Sequence, residues 1–247
     1  MSRPFLIALQ FLTRLPVRPD GELRESDIGR SLPCYPLVGL TLGGLLAGTA
    51  WLLQDVPIAL RCALLLAVWV ASTGALHLDG LADSADAWAG GRGDAGRTLA
   101  LMKDPCSGPM GVAAVALTLL IKFGALNAVC GAGDYAALVL APLLGRTALP
   151  LLFLTTPYVR PGGLGSALAR HLPRRAAAIA VVAGALSTLA AGITGAVALL
   201  AGIGTFWMAR RAMLRRIGGS TGDTAGALVE LTEAAVLVGT VIARTGP

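Results

Sequence analysis

The chain alternates long apolar runs with shorter polar stretches, and the runs have the length of membrane-crossing helices. Runs near the ~20 residues that a helix needs to cross a hydrocarbon core cover Pro36 to Leu53, Pro57 to Leu76, Val112 to Val129, Tyr135 to Thr155 and Ala225 to Ala243. Ala176 to Met208 is too long for one crossing, and the stretch from Gly192 to Gly195 predicts a tight helical hairpin there. Ahead of these runs, Pro4 to Leu15 places Phe5, Leu6, Leu9 and Leu12 on one side of a short helix suited to an interface. It lacks the small-residue site expected of a cleavable signal. The pattern predicts an all-α, polytopic membrane helix bundle of about seven spans plus a short N-terminal interfacial helix, forming one integral-membrane domain over residues 1–247.

Composition and charge sharpen this picture. The chain is 55% hydrophobic and only 14% charged, against about 25% charged in soluble proteins. Gly39, Gly43, Gly44 and Gly48 offer a small-residue face for helix packing. The net charge of +6 is distributed as a membrane protein distributes it, not as a nucleic-acid binder does. With a cytoplasmic N-terminus, 16 of the 20 basic residues fall on the cytoplasmic side, leaving Arg61, Lys122, Arg146 and Arg244. Cys34, Cys62, Cys106 and Cys130 form no C-x-x-C pair and are expected to be reduced and structural.

Candidate chemistry concentrates where the second run ends. His77-Leu78-Asp79-Gly80-Leu81-Ala82-Asp83-Ser84-Ala85-Asp86 places three acids within eight residues, in a chain with only 14. On a helix Asp79, Asp83 and Asp86 share one face. In a soluble protein that would most often be a solvated face. Directly after a membrane-length run it points instead to a hard divalent cation bridged to substrate phosphates. Gly80 leaves room for a phosphate or another backbone. Lys103, in the Pro- and Gly-broken turn from Met102 to Gly111, and the basic loop from Pro157 to Arg175 are candidate phosphate contacts. A helix capped by Thr224 is expected from Ala225, and Asp223, Glu230 and Glu233 add a second acidic group. Arg146, inside the fourth run, must face a partner or a wet cavity. Charge placement puts these polar segments at one cytoplasmic face, in a cavity expected between the second, third and seventh spans.

The chain resembles the cobalamin synthase family (adenosylcobinamide-GDP ribazoletransferase, or cobalamin-5′-phosphate synthase). The resemblance runs nearly end to end through Phe11 to Val17, Pro36 to Gly39, His77 to Asp83 with Asp86, Met102-Lys103-Asp104, Arg160 with Gly163-Leu164-Gly165, and Gly218 to Asp223. It implies a Mg²⁺-dependent, multi-pass phosphotransferase of the bacterial cytoplasmic (inner) membrane that joins adenosylcobinamide-GDP to α-ribazole or its 5′-phosphate, releasing GMP. On that reading Asp79, Asp83 and Asp86 hold the metal. Asp83, Asp104, Asp223 and Glu230 are the candidates to complete its shell or take the hydroxyl proton. Arg14, Lys103, Arg146 and Arg160, with His77, Arg97, Gly219 and Thr221, are the substrate-binding set. The partners implied are the two substrates and the lipid bilayer, with homo-oligomers and association with other cobalamin-assembly enzymes left open. One departure is Cys106, after Pro105, where the family usually has a basic residue. A phospholipid-type alcohol phosphotransferase has a similar Asp-Gly motif, but with Ala-Arg where this chain has Ala82-Asp83. An ion-coupled transporter using Arg146, Glu230 and Glu233 is the non-enzyme alternative.

Overall fold

The computed structural model describes residues 2–245; Met1, Gly246 and Pro247, the extreme ends of the expected domain, lie outside the described residues. The secondary structure of the described residues is helical except for one isolated bridge between Tyr158 and Ser220. In chain order the α-helices are α1 (Arg3–Leu12), α2 (Glu25–Ser31), α3 (Tyr35–Leu52), α4 (Ile58–Thr73), α5 (Leu76–Gly90), α6 (Ala95–Leu101), α7 (Pro109–Gly131), α8 (Tyr135–Thr155), α9 (Gly163–Arg170), α10 (Arg174–Ser187), α11 (Gly192–Ile217) and α12 (Gly222–Thr245).

The axis of the bundle is α8, buried over most of its length. Part of the glycine face of α3 lies on it: a Cβ at Gly39 would sit 2.5 Å from the Pro142 carbonyl oxygen, and one at Gly43 2.6 Å from the Val139 Cα. Rising numbers on α3 meet falling numbers on α8, so the pair is antiparallel and in backbone contact. Gly44 and Gly48 face open space instead. One apolar cluster around Leu65, Leu126, Leu138 and Leu237 fills the bundle at one end. A second, around Leu12, Leu42, Leu149 and Leu228, fills it at the other. Large apolar side chains such as Trp51, Leu52, Ile193, Leu200 and Met208 stand exposed, as a lipid-facing surface requires.

Among the described residues, five stretches are long and apolar enough to cross a membrane: Glu25–Leu52, Pro109–Gly131, Tyr135–Thr155, Arg174–Ile217 and Gly222–Arg244. α4 and α5 together make a sixth only if a pair bent by 87° is counted as one. This corrects the expected seven in two places. The second run does not flow into the acidic motif. Gly74 and Ala75 both take left-handed backbone conformations, with φ of 61° and 58°, and that corner sends α5 across the end of the bundle, outside the crossing helices. The Arg174–Ile217 stretch turns back on itself at Gly192, whose φ is 59°. Arg174 donates to Leu154 O (2.9 Å) and Arg210 to Thr155 O (2.7 Å), so both outer ends meet the C-terminal end of α8. The hairpin exists, but the 14 residues of α10 rise only about 21 Å, short of a ~30 Å core.

Candidate active site

The site end of the bundle gathers the start of α12, the whole of α5 and the loop after α8. α5 and α12 meet without side chains between them. A Cβ on Gly80 would lie 2.7 Å from Asp223 O, and one on Gly226 would lie 3.3 Å from His77 Cα. Of the two uses foreseen for Gly80, backbone approach is the one realised. It sets the acids of α5 beside Asp223.

The start of α12 is fixed by a reciprocal cap. Thr221 Oγ1 accepts from Thr224 N–H (3.2 Å), and Thr224 Oγ1 accepts from Thr221 N–H (2.9 Å). The helix therefore starts at Gly222 with Thr221 as its cap, three residues ahead of the expected Thr224. Two bonds stitch this turn to the Arg160 loop: Val159 N–H to Ser220 O (2.9 Å) and Ser220 N–H to Pro157 O (2.8 Å). Gly219 lies against the Pro157 carbonyl at the same crossing. The loop so held delivers Arg160 Nη1 to Asp223 Oδ2 at 2.8 Å.

A cavity of about 460 Å³ opens at this point. Its polar side chains are Tyr35, His77, Asp79, Tyr158, Arg160 and Asp223; the remaining wall is aliphatic, Phe11 and Phe153, and glycine or proline backbone. It lies between α1, α3, α5, α8, α9 and α12 rather than between the second, third and seventh spans, because α7 contributes nothing to its wall. Asp79 is exposed and Asp83 half-buried. Burial, then the neighbouring Asp79 and Asp223 charges, push the Asp83 carboxyl up to about 6, with Arg160 offsetting part of the rise. Burial likewise raises the Tyr158 phenol, and Arg160 opposes it. Carboxylates this crowded favour a cation among them.

Asp86 serves a different purpose. Its carboxylate accepts Gly108 N–H (2.6 Å) and Gly111 N–H (2.9 Å), tying the start of α7 to α5. Among the described residues no three of His, Cys, Asp and Glu converge as a ready metal cage. Asp79 and Asp83, with Asp223 nearby, still suit Mg²⁺, which binds through one or two carboxylates and completes its shell with water and substrate phosphate.

The other expected residues divide by position. Arg14 packs on Gly74 and donates its N–H to Ser72 O (2.7 Å), leaving an exposed side chain at the site end. Arg97, Lys103 and Asp104 are exposed outside the cavity wall, and Asp104 Oδ1 accepts Cys106 N–H (3.0 Å). Arg146 and Glu230 lie deeper. Arg146, fully buried, binds Glu233, and its Nη2 stands 3.5 Å from His77 Nδ1. Lys122 binds Glu230 (2.6 Å) and Glu233, with its ammonium 4.6 Å from the Trp69 ring centre. Arg146 thus has the partner its position required, but it is not on the cavity wall. Lys122 was legible as a lone cation inside an apolar run. Tyr35, Phe153 and Tyr158 gave no signal, since isolated aromatics in apolar helices carry no spacing.

Residues 4–241 match the family described as cobalamin-5-phosphate synthase. A protein of Stutzerimonas stutzeri (strain A1501) named adenosylcobinamide-GDP ribazoletransferase is 61% identical over 237 residues, covering 96% of each chain. Proteins of the same name from Pseudomonas paraeruginosa (strain DSM 24068 / PA7) and Pseudomonas aeruginosa (strain UCBPP-PA14) are 58% and 56% identical, covering 94% and 96% of this chain and 95% and 96% of their own lengths. No solved structure matches.

Proposed function

Because this chain belongs to the cobalamin-5-phosphate synthase family, we propose that it is an adenosylcobinamide-GDP ribazoletransferase carrying out nucleotide-loop assembly in cobalamin biosynthesis. A ribose hydroxyl of α-ribazole, or of its 5′-phosphate, attacks the cobinamide-linked phosphorus of adenosylcobinamide-GDP. The new P–O bond forms as the bond to GMP breaks, and the hydroxyl proton passes to a base. The observation that carries this reading is the junction of Asp79 and the Arg160–Asp223 pair on the cavity wall, with the half-buried Asp83 carboxylate coupled to all three.

In this reading Arg160 holds Asp223 and offers its remaining N–H groups to phosphate oxygens. Asp223 is the candidate to accept the hydroxyl proton, since it lines the cavity. Glu230 is committed to Lys122, away from the cavity wall. Asp79 and Asp83 would hold Mg²⁺, which neutralises charge on the transferred phosphoryl group when bound. The chain sits in the bacterial cytoplasmic membrane with its N-terminus and site end facing the cytoplasm, supported by the one-sided placement of the basic residues.

The test is GMP release from adenosylcobinamide-GDP and α-ribazole 5′-phosphate by the purified chain in phospholipid vesicles, with and without Mg²⁺. Equal amounts of corrinoid product and GMP, lost in Asp83→Asn, support the assignment. A folded wild type that makes neither refutes it.

A further inference from the structure

Between Asp134 and Asp223 the chain carries nine arginines and no acidic residue. Three of the nine find carboxylates outside that stretch: Arg146 binds Glu233, Arg160 binds Asp223 and Arg170 binds Glu25. The other six, Arg174, Arg175, Arg210, Arg211, Arg215 and Arg216, have no carboxylate partner among the described residues. All six stand on the two arms of the α10–α11 hairpin, and the fold gathers them. Arg174 and Arg210 donate to Leu154 O and Thr155 O, consecutive carbonyls in the last turn of α8, which brings the arms to one level at the site end. Those two bonds satisfy helix-end carbonyls, and Arg216 donates to Trp88 O. Arg175, Arg211 and Arg215 have no such use: each is exposed, with no hydrogen bond or ion pair among the described residues. Like charges gathered in this way favour an anion among them.

The helix faces leading to these arginines show what else the anion carries. On α10, Ile179, Val182 and Leu186 follow Arg175 at i+4, i+7 and i+11, and all three are exposed. One face of that helix is therefore apolar along its length and cationic at its end. On α11, exposed Leu200, Ile203 and Trp207 lead at helical spacing to Arg211 and Arg215. Trp207 marks the change from apolar to cationic, the level at which membrane proteins place interfacial aromatics, and the Arg210 guanidinium carbon lies 5.3 Å from its ring centre.

We propose that this end of the α10–α11 hairpin binds an anionic phospholipid, its headgroup phosphate among Arg175, Arg211 and Arg215 and its acyl chains along the apolar faces of the two arms. Guanidinium groups suit phosphate oxygens, and each arginine near a bilayer surface adds to the attraction for acidic lipid. A zwitterionic phospholipid neutralises its own phosphate and leaves the arginines without a counter-charge. A soluble anion meets the charges but leaves the apolar faces uncovered. The proposal does not depend on which reaction the chain catalyses. The carbonyls that the hairpin clasps lie two and three residues ahead of Pro157, so the lipid sits at the root of the loop that carries Arg160.

Mass spectrometry of the intact full chain released from detergent, after incubation with equal amounts of phosphatidylglycerol and phosphatidylcholine, counts the lipid that stays bound. Wild type is expected to retain phosphatidylglycerol at least about tenfold over phosphatidylcholine. Arg175→Gln, Arg211→Gln and Arg215→Gln together should bring that ratio to within about twofold of unity. Should the triple variant fail to fold, Arg211→Gln alone is expected to lower the ratio at least about threefold. Arg18→Gln, Arg30→Gln and Arg92→Gln together remove the same charge from exposed positions outside the hairpin, and should leave the ratio within about twofold of wild type. Inorganic phosphate in large excess should leave the lipid bound. Equal retention of the two lipids, an equal loss in the control variant, or displacement by inorganic phosphate overturns the proposal. So does a dimer without bound lipid that dissociates in the hairpin variant, which assigns this face to a second copy of the chain.

Discussion

A Cβ on Gly80 would lie 2.7 Å from the carbonyl oxygen of Asp223, so α5 and α12 touch backbone to backbone where their acidic residues begin. That contact sets the separation between the acids of α5 and the Arg160–Asp223 pair. Gly80→Ala must push the two helices apart, since the obstructing atom is backbone. Activity is expected to fall at least about tenfold, because small displacements of reacting groups are costly. Helical content by circular dichroism should stay unchanged. Wild-type turnover in the variant would show that this spacing is not limiting.

Asp83 predicts a dependence on pH. Its carboxyl is raised from the ordinary value of 3.8 to about 6, so folding favours the protonated form. Without Mg²⁺, its contribution to stability is greatest at low pH and is lost as pH climbs through about 6. The wild type minus Asp83→Asn difference in Tm should therefore become less favourable to wild type between pH 4 and 7. Bound Mg²⁺ needs the ionised carboxylate, so apparent Mg²⁺ affinity should rise across the same interval. A flat Tm difference would place Asp83 in a less crowded setting.

Asp86 separates scaffold from metal ligand. Asp86→Ala removes two charge-assisted bonds to the start of α7 and should cost about 2–4 kcal/mol in stability. The Mg²⁺ concentration for half-maximal activity should not move. A several-fold increase in that concentration would return Asp86 to the metal shell.

The buried charges should prove interdependent. Glu233 binds both Arg146 and Lys122 with no exposure, so Glu233→Ala strands a guanidinium inside the bundle. The expected loss is about 3–5 kcal/mol, read by thermal unfolding in detergent. Combining Glu233→Ala with Arg146→Met should recover part of it. Additive losses would show that the two residues do not act as a pair.

Arg160→Ala should lower kcat about 100-fold, the scale for losing one group that stabilises developing charge. Arg160→Lys should recover only part, since an ammonium cannot hold Asp223 and a phosphate in the same planar fork. A kcat within about twofold of wild type in Arg160→Ala would remove Arg160 from the reacting centre.

What the sequence determined is what depends on period and composition. Apolar runs of membrane length specify crossing helices whatever their neighbours, and the i, i+4, i+7 acids must share a helix face. The stripe of Gly39, Gly43, Gly44 and Gly48 announced a close helix contact, which the first two make, and Arg146 announced a partner or a wet cavity, because lipid provides no counter-charge.

Tertiary structure decided how those pieces were used. Asp86 is chemically identical to Asp83, yet the N–H groups of Gly108 and Gly111, more than twenty residues away, take both its oxygens. The two consecutive left-handed residues at Gly74 and Ala75 turned an apparent continuous run into a corner, which no hydropathy average detects. The assignment of Glu230 to Lys122 instead of to the cavity depends on which face α12 turns toward α7. The cavity itself is a space left between six helices. Its aromatic lining comes from separate segments of the chain, so its shape exists only once they are packed.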